Sequence, residues 1–127
     1  MTAAINDLGI ADRVHLLGER ADVSRITAAF DLAVNCSSSE GFPNSIGEAM
    51  ASGVPCVVTD VGDSKWLVGN TGLAVAPGDH ARLAAACCEL IALSEPERAD
   101  HGRRARERVQ DHFSIRAAVR QYEQLFI

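Results

Sequence analysis

Short runs of β-branched and apolar residues alternate along the chain with stretches whose apolar positions recur every three or four residues. That alternation predicts β-α units feeding a parallel sheet, hence an α/β fold. Residues 14–17, Val-His-Leu-Leu, read as a strand closed by Gly18, and residues 22–30 as a helix with Val23, Ile26, Ala29 and Phe30 on one side. Residues 31–36 form a buried strand that runs into the polar stop Ser37, Ser38, Ser39. After a loop over 40–44, Ile46, Ala49, Met50 and Gly53 mark a helix whose inner face lies on the sheet, with small Ala49 and Gly53 permitting close approach. Residues 55–59 are the next strand, its proline tolerated at the first position. A helical turn over 64–68 and a strand over 71–76 follow.

The C-terminal part predicts helices, each opened by a capping residue. Asp79 is placed to cap a helix over 80–93. Ser94 and Glu97 form a capping box for a basic helix reaching about His112, and Ser114 caps a last helix carrying Ile115, Val119, Tyr122 and Phe126. With 127 residues, 47% of them apolar and 23% charged, one core and one domain are expected. No apolar run approaches the roughly 20 residues that span a bilayer, and the first twelve residues do not read as a signal peptide. A soluble, cytoplasmic protein is the expectation. A net charge of -5 repels nucleic acid rather than gathering it. Cys36, Cys56, Cys87 and Cys88 include no C-x-x-C pair and read as reduced core residues.

Candidate chemistry concentrates in residues 39–50, where a strand end, a glycine-containing loop and a helix start coincide, the place where open α/β sheets bind ligands. Free amides of Asn44 to Gly47 and the positive end of the helix dipole favour a phosphate or diphosphate. Glu40 at the strand end and Glu48 about one turn into the helix do not suit phosphate. Ionised carboxylates are acceptors only, so they suit the hydroxyls of two polyols flanking the phosphates.

Glu40 and Glu48, with seven residues between them in SSSEGFPNSIGEAMASGVPCVVTDVG, resemble the E-x7-E motif of the retaining glycosyltransferases of family four. The segments VHLLGER, GNTGLAVAPGD and ERVQDHFSIRAAVRQYEQLFI resemble that family's C-terminal domain in order and spacing. The resemblance implies a Rossmann-like parallel sheet flanked by helices, the C-terminal half of a two-domain B-type enzyme, ending in helices. It implies that Glu40 faces the donor sugar as the catalytic residue, that Gly41, Phe42, Pro43, Asn44 and Ser45 present amides to the diphosphate, and that Glu48 takes the ribose hydroxyls. The base then lies near Gly18, Glu19 and Arg20. A nucleoside-diphosphate sugar is the implied donor, a carbohydrate or lipid the implied acceptor, and neither cofactor nor metal is implied. Residues 1–127 are then one nucleotide-sugar-binding domain, incomplete at its N-terminus. The family's N-terminal acceptor domain, and the first strand with its diphosphate-clamping Arg and Lys, lie outside the sequence, and another chain could supply them. Where many relatives read Gly-Phe-Gly, this chain reads Gly41-Phe42-Pro43, which removes one amide donor.

Plainer readings stand beside these. Ser45-x-x-Glu48 is itself a capping box, Glu40 alone reads as a solvated loop acid, and Phe42 and Trp66 read as packing anchors. His15 reads as a strand residue, His80 as a helix start, and His101 and His112 as surface positions. Arg98, Arg103, Arg104, Arg106 and Arg108 are interleaved with acids, which fits a solvated helix with i, i+4 pairs better than contact with the inner face of an anionic membrane. Neither a G-x-x-x-x-G-K-S/T loop nor a G-x-G-x-x-G turn occurs. Besides the enzyme, a non-catalytic nucleotide or sugar-phosphate binding module and an interaction domain derived from the same fold remain as alternatives.

Overall fold

A computed structural model describes residues 1–126. In chain order the elements are α1 (Thr2–Asp7), α2 (Val23–Thr27), β1 (Ala33–Asn35), α3 (Asn44–Ala51), β2 (Cys56–Thr59), α4 (Ser64–Val68), β3 (Leu73–Val75), α5 (His80–Ile91), α6 (Glu95–His112) and α7 (Ile115–Leu125). The strands form one parallel sheet in the order β1-β2-β3, with Ala33 opposite Cys56 and Val57 opposite Leu73.

Alternation along β2 divides the core. Cys56 and Val58 point to one face, where they meet Ile46, Ala49 and Met50 of α3, Leu67 and Val68 of α4 and Ala105 of α6. Val57 points to the other, against Val75 and Ala86 and Leu90 of α5. Helices therefore cover both faces of β2, and all four of its residues are buried, as an internal parallel strand requires. The Rossmann-like parallel sheet flanked by helices, ending in helices, is the architecture expected from the sequence.

The C-terminal helices are fastened at named points. Glu97 accepts hydrogen bonds from the Ser94 amide at 2.9 Å and the Ser94 hydroxyl at 2.6 Å at the start of α6. Asp79 accepts from the Arg82 amide at 2.8 Å, and Ser114 from the Ala117 amide at 3.1 Å, so all three predicted caps are made. Arg98 donates to the Ile91 and Leu93 carbonyls at 2.8 and 2.6 Å at the end of α5. Gly102 lets α6 ride on the end of α3, because a Cβ there would stand 1.9 Å from the Gly53 carbonyl oxygen. Gly53 thus serves the helix pair rather than the sheet contact expected of it.

Other expectations change as well. Residues 14–17 are not a strand and His15 is not a strand residue: no strand among the described residues pairs with them. The helix read over 22–30 stops at Thr27, because the Ala29 and Phe30 amides turn back three residues, to Ile26 and Thr27. The strands read over 31–36 and 71–76 shorten to three residues each. The helix expected to reach Leu93 ends at Ile91, and α1 is an addition. Phe126 ends α7 as its cap residue, and Ile127, the last residue of the closing motif, lies outside the described residues. Of the cysteines, all free, Cys56 is buried in the core, where burial pushes its thiol up to about 12; Cys87 is half-buried and packs against the core around Val57, whereas Cys36 and Cys88 are exposed. His101 is half-buried, with Nδ1 3.4 Å from the Thr71 carbonyl, rather than on the surface.

Candidate functional site

The loop after β1 is folded around Glu40. Asn35, the last residue of the strand, accepts the Ser37 amide on its side-chain oxygen at 2.9 Å, a local turn typical of asparagine. Its side-chain nitrogen donates to Glu40 Oε1 at 3.1 Å, and the Ser37 hydroxyl donates to the same oxygen at 2.8 Å. The Asn35 amide first, and then the Ser37 hydroxyl, hold the Glu40 carboxyl below its ordinary value. Both bonds fall on Oε1, so among the described residues Oε2 is left to accept from a ligand.

Two further contacts hold this loop at the end of the sheet. Thr59, buried at the end of β2, donates its hydroxyl to the Ser37 carbonyl at 2.6 Å. The Asp63 amide donates to the Gly41 carbonyl at 3.0 Å. Between them Gly62 passes directly beneath the loop with φ of +53°, and a Cβ there would lie 2.2 Å from the Glu40 carbonyl oxygen. Only glycine satisfies both the left-handed backbone and the missing space.

α3 begins earlier than the sequence suggests. Pro43 stands at the N-cap, with φ of -79°, and makes no side-chain cap. The Ile46 and Gly47 amides both turn to the Pro43 carbonyl, at 3.0 and 3.2 Å. The amides expected to be free over Asn44 to Gly47 therefore reduce to those of Asn44 and Ser45; with those of Gly41 and Phe42, they donate to no protein acceptor among the described residues. Ser45 is the second residue of the helix and Glu48 the fifth, so the Ser45–Glu48 capping box does not form. The exposed Glu48 carboxylate has no protein hydrogen-bond partner among the described residues. Donors for an anion and two carboxylates for hydroxyls thus share one helix start and the loop leading into it.

The predicted base flank is only partly joined to this group. Gly18, Arg20 and Ser45 line a common cleft of about 320 Å³ between α2, β1 and α3, whereas Glu19 is exposed beside it. Arg20 is held by Asp22 in a two-fold ion pair, at 2.8 and 2.9 Å, which pulls the Asp22 carboxyl below its ordinary value. The cleft is largely apolar, with Phe30, Leu32 and Val34 on its wall, and does not include Glu40 or Glu48.

The Phe42 ring lies 5.8 Å from that of Phe113, a contact of the kind the anchor reading expects, and Trp66 meets Phe113 edge-on at 4.8 Å. The α6 arginines divide by role: Arg103 pairs with Asp100 and Glu107, and Arg104 with Asp100, at 2.6 to 2.9 Å, while Arg98 and Arg108 reach backbone carbonyls. Sequence reading missed Asn35, Ser37, Thr59 and Gly62 as builders of the site. Asn35 offered the one signal, a side chain able to bond both ways at the end of an apolar strand just before a carboxylate.

Residues 1–93 match the family model described as glycosyl transferases group 1. The chain is 36% identical over 124 residues to N-acetyl-alpha-D-glucosaminyl L-malate synthase of Bacillus anthracis, covering 96% of this chain and 32% of that protein. Its fold matches sucrose-phosphate synthase of Thermosynechococcus elongatus with a TM-score of 0.86 and 32% identity, over 98% of this chain and 32% of that one. It also matches Anabaena Alr3699/HepE in complex with UDP-glucose, with a TM-score of 0.85 and 29% identity, over 98% of this chain and 35% of that one. The chain spans about a third of the length of each. The family match takes in the loop, both carboxylates and the three strands, and the chain belongs to the glycosyl transferases group 1.

Proposed function

We propose that this chain is the donor-binding part of a retaining glycosyltransferase that moves a hexose from a nucleoside-diphosphate sugar to a carbohydrate or lipid acceptor. The observation that carries the reading is Glu40: an ionised carboxylate fixed through one oxygen, with the other open, beside the unpaired amides of Gly41, Phe42, Asn44 and Ser45. Glu40 binds the donor sugar's hydroxyls near the reacting carbon. Those amides and the α3 dipole take the charge that grows on the leaving diphosphate, in place of a metal or cofactor. Pro43 contributes shape and not a donor. Glu48 accepts from the ribose hydroxyls, and the base lies toward Gly18, Glu19 and Arg20. UDP-glucose bound by the similar Anabaena protein supports a nucleotide sugar as the ligand class.

Residues 1–127 are read as one domain that works with an acceptor-binding partner, either in the same polypeptide or in another. Two uncovered apolar surfaces support this: the free edge of β1 with its cleft, and the α7 face carrying Ile115, Tyr122 and Phe126, which are 84%, 66% and 87% exposed. No described helix is long and apolar enough to cross a membrane. We place the protein in the cytoplasm, touching the inner face of a membrane where the acceptor is a lipid.

In a full-length transferase carrying this segment, Glu40→Ala should lower turnover by about 100-fold or more while nucleoside-diphosphate affinity is nearly kept. Unchanged turnover would remove Glu40 from the reaction. The anomeric configuration of the product, read by NMR, should match that of the donor.

A further inference from the structure

We propose that Phe113, at the joint between α6 and α7, is a positioning residue for the donor loop, acting through Phe42; the inference rests on the donor-binding reading above. Phe42 sits between Gly41 and Pro43, in the segment whose amides face the proposed diphosphate site. Its ring has two supports: the backbone of α3 at Gly47, where an added Cβ would stand 3.9 Å from the ring, and Phe113 at 5.8 Å with the planes inclined by 49°.

Phe113 is itself fixed. Its amide closes α6 on the Val109 carbonyl at 2.9 Å, and Trp66 packs edge-on against its ring at 4.8 Å. The Arg108 guanidinium lies over the same ring, 5.6 Å from the centroid. Arg108 does not float there: its Nε donates to the Leu67 carbonyl at 2.8 Å and Nη2 to that of Trp66, where the negative end of α4 favours a cation.

These contacts close a circuit. Gly41 accepts from the amide of Asp63, the residue at the N-cap position of α4; α4 carries Trp66 and receives Arg108; both meet Phe113, and Phe113 returns to Phe42, next to Gly41. Two adjacent loop residues are thus held from opposite ends of one continuous path of contacts. None of the rings is a candidate to touch the reacting atoms, so Phe113 acts by fixing where the loop amides point. Trp66, the only tryptophan in the chain, reports on the circuit from within.

The test is a titration of the 127-residue chain with UDP, GDP and ADP, followed by heat and by Trp66 fluorescence, for the unchanged protein, Phe113→Ala and Phe113→Tyr. We expect one nucleotide to bind and alter the Trp66 emission. Phe113→Ala should keep a cooperative melt yet bind about 10-fold more weakly without the emission change, and Phe113→Tyr, which restores the ring, should recover both. If Phe113→Ala does not fold, Phe113→Leu, which keeps apolar bulk without the ring, is read in the same way. Equal affinity in the unchanged and ring-less proteins overturns the positioning role and leaves the donor-binding reading standing. An unchanged chain that binds none of the three nucleotides overturns the claim that residues 1–127 hold the donor by themselves, and the positioning role of Phe113 with it.

Discussion

Glu40 carries a specific pH expectation. Its carboxyl is held low by Asn35 and then Ser37, so its folded value lies below its unfolded one. The stabilisation from these bonds is present above the unfolded value and is lost as pH falls through the folded one. Side-chain carboxyl NMR should show Glu40 titrating below an ordinary glutamate, and Asn35→Ala should move that titration upward; an unmoved midpoint would mean the two side chains do not meet in solution. Glu48 is a different case. Because it caps nothing, Glu48→Ala should leave the melting temperature nearly unchanged while weakening nucleotide binding, checked by thermal melting beside calorimetry. The carboxylate pair was legible in the sequence because both its spacing and its setting at a helix start are visible there. The cap reading of Glu48 fails because Pro43 starts α3 two residues before the position a Ser45 cap would set. Asn35 and Ser37 give little sign of this role because, read alone, each is an ordinary polar residue at the end of a strand.

At the scale of elements, capped helices and the buried β2 run were readable because their signals are local: a polar cap, an apolar stripe, four consecutive apolar or β-branched residues. The 14–17 segment was misread for the opposite reason, since a strand exists only if another strand pairs with it. The α3–α6 contact gives a prediction against the usual rule. Glycine to alanine inside a helix normally gains about 0.5–1 kcal/mol, but Gly102→Ala would press a methyl into the Gly53 carbonyl. Overpacking of that kind costs about 1–3 kcal/mol, so the melting temperature should fall by several degrees; a rise would mean that α6 does not sit this closely on α3.

For the whole molecule, the sheet's free edge and the α7 stripe are surfaces without a partner, in a chain that spans about a third of its relatives. Ile115 is 84% exposed here, so Ile115→Lys should change the stability of this chain by no more than about 0.5 kcal/mol in a denaturant melt, yet reduce activity wherever α7 packs against an acceptor domain. The sequence could not reveal these faces as uncovered, because an amphipathic helix reads the same whether or not its partner is present.

The most direct test of donor binding is calorimetry of the chain against UDP, GDP, ADP and their hexose conjugates, with Glu48→Ala alongside. Binding confined to one base, strengthened by the attached sugar and lost in Glu48→Ala, is the predicted result. Binding that Glu48→Ala leaves intact, or none across the panel, would contradict it.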